Sequence, residues 1–337
     1  MIKLWLPDRP RSLVLAGILM LCLSGALWAA IPLEDQPIQD ADQPSSVIDA
    51  PHATMSRTLE AALRRVDGLF SGNRNYDAPT GSYVDIGPRV VMYRSGDETN
   101  AFSGISRAKI NLPRTNDKLQ LVLARDIENV VVSESQRDAE VAAGQIPVDN
   151  SPYLGLRALM VETMRVQFSA TAGLKLRQGL DPFARLRAER MFTIGQWQIP
   201  LSETLLWRRS EEASATTQVG FLHPAGHDAF VSFYSTATWR QVAGYFDLGQ
   251  FATFTRRINP RSLVSTEVGI LGQTDPNTRA TAYSIALRYR RKLYSDWLLF
   301  EVRPQLVYPR DHDFRPVPSI TLQLEMYFGE GYFDSLQ

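Results

Sequence analysis

From about Ser82 to Phe328 the chain places an apolar residue at every second position, in runs broken by short polar stretches. The strictest run is SITLQLEMYFG, Ser319 to Gly329. There Ile320, Leu322, Leu324, Met326 and Phe328 alternate with Thr321, Gln323, Glu325 and Tyr327. Period-two alternation puts the two sets on opposite faces of a β-strand. The same parity recurs upstream. Phe102, Ala108, Ile110 and Leu112 oppose Arg107, Lys109 and Asn111. Val166, Phe168, Ala170, Ala172, Leu174 and Leu176 oppose Arg165, Gln167, Lys175 and Arg177. Val264, Val268 and Ile270 oppose Glu267, and Tyr283, Ile285, Leu287 and Tyr289 oppose Arg288 and Arg290. Leu298, Phe300, Val302, Leu306 and Tyr308 oppose Leu299, Glu301, Arg303 and Gln305.

The breaks have a rhythm of their own. PRTNDK (113–118), ETMR (162–165), TIGQ (193–196), INPRS (258–262) and YSDW (294–297) read as tight turns. RSGDETN (94–100), a long polar segment near 129–151, QGLDP (178–182), RSEEAS (209–214), QTDPNTRA (273–280) and PRDHDFRP (309–316) read as looser connections between them. The count is 14 strands, with 12 as the alternative because Ser82–Arg94 alternates weakly. Pro304 removes one ladder donor, so a bulge or local irregularity is expected there.

Alternation alone fits a soluble sandwich or a membrane barrel. Length separates them: the runs are about 10 to 13 residues, against ~5–6 for a globular strand and ~9–11 for a tilted membrane-crossing one. Tyr153, Trp197, Trp207, Trp239, Tyr245, Tyr294, Trp297 and Tyr308 lie near strand ends, as aromatic girdles do. The expected fold is all-β: an antiparallel transmembrane barrel over 82–329. Facing Lys or Arg to lipid at mid-depth costs ~2–4 kcal/mol each. The charged parity therefore lines the interior and the apolar parity meets lipid.

The N-terminus agrees with export. Lys3, Arg9 and Arg11 precede an apolar run from Leu13 to Leu27, with cleavage expected after Ala26 or Ala29. Residues 1–29 thus read as a signal peptide, and 30–55, rich in Pro, Asp, Gln and Ser, as a linker. Within 56–81, Leu59, Leu63, Val66 and Phe70 recur at helical spacing after Ser56. They predict a periplasmic amphipathic helix that tethers the chain or plugs the barrel. Residues 330–337 form a C-terminal tail. The one cysteine, Cys22, falls in the leader, so the exported part has no disulfide framework or thiolate metal site.

WLLFEVRPQLVYPRDHDFRPVPSITLQLEMYFG (297–329), with DPFARLRAER (181–190) and INLPRTNDKL (110–119), resembles an uncharacterised set of Gram-negative outer-membrane β-barrel proteins. The likeness spans roughly 82–329. It implies the fold and the outer membrane, and brings no activity with it. That location implies contact with outer-membrane lipid and lipopolysaccharide, insertion by the barrel-assembly machinery, and a periplasmic partner for residues 31–70.

The inward row is the main candidate for function. It holds Arg107, Lys109, Arg157, Arg165, Lys175, Arg177, Arg185, Arg187, Glu189, Glu267, Arg288, Arg290, Glu301, Arg303 and Glu325. Basic groups outnumber acidic ones, which in a pore favours anions and polar solutes. The competing reading is a network that fills a closed, non-conducting barrel, with the 129–151 segment or the N-terminal helix inside it and residues 31–70 as a docking arm. A third is a hydrolase built on the loop triplet Asp311-His312-Asp313. His223 and His227, in LHPAGHD, are read as a periplasmic turn rather than a metal site. No cofactor is expected, because the chain has no Gly-rich phosphate loop. Lys+Arg and Asp+Glu are both 36, a balance that argues against nucleic acid as a partner.

Overall fold

Long strands that are apolar on one face and charged on the other must hide one face and leave no sheet edge in lipid; closing the sheet does both. The computed structural model describes residues 83–93, 100–112, 119–124, 134–143, 151–163, 166–177, 179–293 and 297–328. The strands are β1 (Tyr83–Tyr93), β2 (Asn100–Leu112), β3 (Leu119–Ala124), β4 (Tyr153–Thr163), β5 (Val166–Arg177), β6 (Gly179–Ile194) and β7 (Trp197–Arg208). They continue with β8 (Glu212–Pro224), β9 (Ala229–Arg240), β10 (Phe246–Asn259), β11 (Ser262–Gln273), β12 (Arg279–Lys292), β13 (Leu298–Pro309) and β14 (Val317–Phe328). One helix, α1 (Glu134–Ala142), lies between β3 and β4.

The 14 strands pair antiparallel in sequence order, and β1 pairs with β14 to close the barrel. The weakly alternating Ser82–Arg94 region therefore supplies the closing strand, and the count is 14 rather than 12. One barrel end carries the connections 113–118, 164–165, 195–196, 225–228, 260–261 and 293–297. The other carries the long 125–152 connection with α1. Both strand termini, Tyr83 and Phe328, sit at the short-turn end.

Burial is inverted relative to a soluble core. Leu154, Leu156, Phe168, Leu174, Leu186, Leu205, Phe233, Val268, Ile270 and Ile320 are exposed, while Lys175, Arg185, Glu267, Glu301, Arg303 and Gln323 are buried. Trp197 and Trp207 face outward at the two ends of β7. At ~3.3 Å per residue and ~40° tilt, the stretch between them rises about 25 Å, the height of an outer-membrane apolar band. Among the described residues no helix is long and apolar enough to cross a membrane.

Several expectations change. QGLDP is not a loose connection: β6 begins at Gly179, which pairs with Arg177 and has φ +112°. Glycine's tolerance of positive φ permits that tight reversal. RSEEAS is also tighter than expected, because β8 starts at Glu212, directly opposite Arg208. At Pro304 the expected irregularity is a gap in the ladder rather than a bulge. Pro304 pairs with Ile320 of β14, while the β12 ladder omits Leu287 and Arg288 and resumes in the same register at Tyr289↔Val302. The missing N–H thus interrupts pairing on one side and shifts nothing. Pro88 and Pro200 leave the same kind of in-register gap toward β14 and β8.

Tyr153 and Trp297 do not belong to the girdle. Tyr153 is buried on the inward parity of β4, and Trp297 packs against inward Leu299 and Tyr327. Phe328, expected against lipid, is buried as well. The segments 1–29, 30–55 and 56–81, including the expected leader and amphipathic helix, and the 330–337 tail lie outside the described residues, Tyr83 onward to Phe328.

Candidate functional site

The long polar segment between β3 and β4 folds back into the barrel as α1. Its apolar side is Ala139, wholly buried against Phe251, Leu271, Ala282 and Val307, with Ala142 and Ala143 beside it. These wall residues come from β10, β11, β12 and β13, so α1 lies on that half of the interior. The Phe251 ring sits over Gly269, where a Cβ would come within 2.2 Å of it. Glycine is required there by the ring's position.

Polar contacts fix the helix at mid-height. Arg89 Nη2 donates to both oxygens of Asp138, at 2.8 and 2.6 Å, and Arg303 Nη2 donates to Oδ2 at 2.6 Å. All three side chains are buried, Arg303 completely at 0% exposure. Gln136 Nε2 donates to Thr236 Oγ1 at 3.3 Å on β9. A bifurcated acid between two guanidiniums satisfies charges whose isolated burial would be prohibitive.

Below α1 the β12–β14 wall is a continuous ion network. Glu301 lies 3.4 Å from Arg288, 3.8 Å from Arg290 and 3.6 Å from Arg303. Arg290 also pairs with Glu325, which accepts from Gln323 Nε2 and Tyr327 Oη. On β11, Glu267 accepts from Thr253 Oγ1 at 3.2 Å. Cations here are matched by neighbouring acids.

The facing wall, β2 to β6, is less balanced. Among the described side chains, Lys109, Arg157, Lys175, Arg185 and Arg187 share it with two carboxylates, Asp181 and Glu189. Glu189 is taken by Arg187 Nε, and Asp181 accepts from the Ser210 backbone N–H at 3.1 Å and from its hydroxyl. Cross-strand register sets Arg157, Thr171 and Arg185 in one row and Ser169 beside Arg187 in the next. Toward the short-turn end this wall holds a cavity of about 220 Å³, lined by Lys109, Gln120, Arg157, Leu159, Gln167, Phe168, Ser169, Arg187 and Glu189.

Nearer the loop end, Tyr153, Phe183 and Leu206 form a small inward apolar cluster, the two rings edge to face at 5.4 Å. Lys175 Nζ stands 5.0 Å from the Tyr153 ring centre, and Arg208 Nη1 donates to the Tyr153 hydroxyl at 3.1 Å. The Phe183 ring covers Gly155 and Gly173.

The structure thus brings Lys109, Arg187 and Glu189 together on one wall, with Lys175 and Arg185 along it. It brings Arg288, Arg290, Glu301, Arg303 and Glu325 together on the other, with Glu267 apart on β11. Arg107 and Arg177 occupy strand positions in β2 and β5, and Arg165 lies outside the described residues. Sequence reasoning missed Arg89, Gln120 and Asp138. Asp311 and His312 sit in an exposed 3₁₀ turn, Arg310–His312, followed by exposed Asp313. His223 belongs to β8 and packs against Trp197 with the rings tilted and their centres 4.5 Å apart. Among the described residues no group of three His, Cys, Asp or Glu could hold a metal ion.

The chain matches no family model and none of the curated proteins. It is similar in structure to the outer-membrane channel DcaP of Acinetobacter baumannii, at 8% identity and TM-score 0.43, over 77% of this chain and all of that one. It is also similar to a loop-deletion mutant of OmpT, an outer-membrane protein of Vibrio cholerae, at 9% identity and TM-score 0.42, over 73% of this chain and 98% of that one. NanC porin gives 9% identity and TM-score 0.37 over 73% and 98% of the two chains. These likenesses are ones of fold.

Proposed function

We propose that the chain is an integral outer-membrane barrel that passes small polar solutes and favours anions. One observation carries the reading: α1 and its acid Asp138 are held on the β9–β13 and β1 side, while on the opposite β2–β6 wall the described side chains include five cations and two carboxylates. Solutes passing between helix and wall meet a positive surface, and fixed charges at close range bias permeation. The outward apolar band and the closed sheet support a membrane site, since open edges would leave backbone groups unsatisfied in lipid. Export by an N-terminal leader, where present, would make that membrane the outer one.

The test is single-channel recording of the folded, purified protein in planar bilayers. Discrete conductance steps are expected. A silent bilayer with confirmed folded insertion removes the channel. It would favour the second reading, a non-conducting barrel with a docking arm at residues 31–70, which the wholly buried Arg303–Asp138 contact also suits.

A further inference from the structure

We infer that the cavity at the short-turn end of the β2–β6 wall is a binding site for a small hydroxylated anion, such as a short hydroxy acid. The proposal rests on the channel reading and deepens it by naming a solute class, but its binding step can be measured apart from conduction.

Three features point to such a ligand. The first is charge. Among the described residues that line the cavity are the cations Lys109, Arg157 and Arg187 and one acid, Glu189, so an entering anion is favoured over an entering cation. The second is an unused donor. Arg187 is 6% exposed, and although its Nε is paired with Glu189, its Nη2 has no hydrogen-bond partner. A guanidinium edge left in this state selects an oxyanion, because planar N–H donors match carboxylate or phosphate oxygens.

The third feature narrows the class. Gln120 is 4% exposed, and its side-chain oxygen has no donor facing it. A buried acceptor of this kind needs a ligand O–H or N–H, and leaving it unmatched is costly. An amine would bring positive charge beside Lys109 and Arg157, so the proposal takes a hydroxyl as the neutral donor. An oxyanion on Arg187 and a hydroxyl on Gln120, within one cavity, describe a hydroxy acid. A volume of about 220 Å³ equals roughly seven waters at ~30 Å³ each. That admits a solute of about the size of glycerate.

On the opposite wall Glu301 and Glu325 lie within ion-pair reach of the cations around them. The cavity lies toward the short-turn end, beyond the mid-height contacts of α1. A solute that clears the helix therefore meets this site before leaving.

The experiment uses D-glycerate and propionate as probes on the full, folded chain in detergent, read by isothermal titration and by the rise in Tm. A propionate molecule retains the carboxylate and lacks the hydroxyls. Glycerate is expected to bind saturably and more tightly than propionate. Arg187→Gln should weaken both by at least about tenfold, the loss of a charge-assisted hydrogen bond. Gln120→Met should leave propionate unchanged and abolish the preference for glycerate. Arg288→Gln, on the far wall, should leave both affinities unchanged. Equal binding of the two acids, no binding at all, or an unchanged preference in Gln120→Met overturns the proposal. The arms separate it from the channel: a conducting bilayer without glycerate binding removes the site alone, and binding with a silent bilayer removes conduction alone.

Discussion

Replacing Asp138 with asparagine should release α1 from the barrel wall. In the native state the carboxylate takes three short bonds, two from Arg89 and one from Arg303, at 2.6–2.8 Å. Asparagine has nearly the same shape but removes the charge from a buried site. Breaking a buried pair by removing one partner costs ~3–5 kcal/mol. In the variant the wholly buried Arg303 keeps Glu301, at 3.6 Å, as its nearest acid. The helix keeps its alanine packing and the Gln136 contact. The Ala139 methyl contributes about 0.8 kcal/mol on burial, and the Gln136–Thr236 bond adds ~0.5–1.5 kcal/mol. Losing the triad therefore raises the population of undocked states. At ~1.4 kcal/mol per tenfold, amide protection within Glu134–Ala142 should fall by about two to three orders of magnitude. Hydrogen exchange of the folded variant reads this directly, and single-channel conductance should rise as the helix leaves the passage. Unchanged protection together with unchanged conductance would refute the idea that this ion triad holds α1 in place.

Other outcomes follow from the two faces of the wall. Leu201→Arg puts a cation on the exposed outward face near mid-band, and unfolding in lipid vesicles should be easier by ~2–4 kcal/mol; no change would mean Leu201 does not face lipid. Glu203, also outward on β7, accepts from Thr217 Oγ1 at 2.6 Å. Glu203→Leu should stabilise the barrel in the same assay, by on the order of 1 kcal/mol, since acids at mid-band cost less than Lys or Arg. A loss of stability would show that protein rather than lipid covers this face. Gly269→Ala forces its Cβ into the Phe251 ring and should lower stability by ~1–3 kcal/mol. Its effect on α1 protection should resemble that of Asp138→Asn, because Phe251 supports Ala139; an unaltered Tm argues against that packing.

How much of this the sequence disclosed depends on the length scale of the signal. Strand faces were legible because lipid imposes one rule on every outward position, so Leu174, Val268 and Ile320 declare themselves in their own local alternation. The inward charges followed by parity. Tyr153 and Trp297 were misplaced although their parity with Arg157 and Leu299 pointed inward; the expectation of girdles overrode the local signal. The helix was hidden for a different reason. The apolar part of its buried face is alanine, which makes no strong stripe, and its anchors lie far along the chain, Arg89 49 residues away and Arg303 165. The cavity was equally hidden, since Lys109, Gln120 and Arg187 meet only through the register of strands between them.

The most direct test of a cationic passage through this barrel is its reversal potential in a planar bilayer under a tenfold KCl gradient. The account predicts a value whose sign reports chloride moving more readily than potassium. Neutralising Lys109 and Arg157 together should move it toward zero. A wild-type potential of the opposite sign, or one of zero that neither substitution changes, would contradict it.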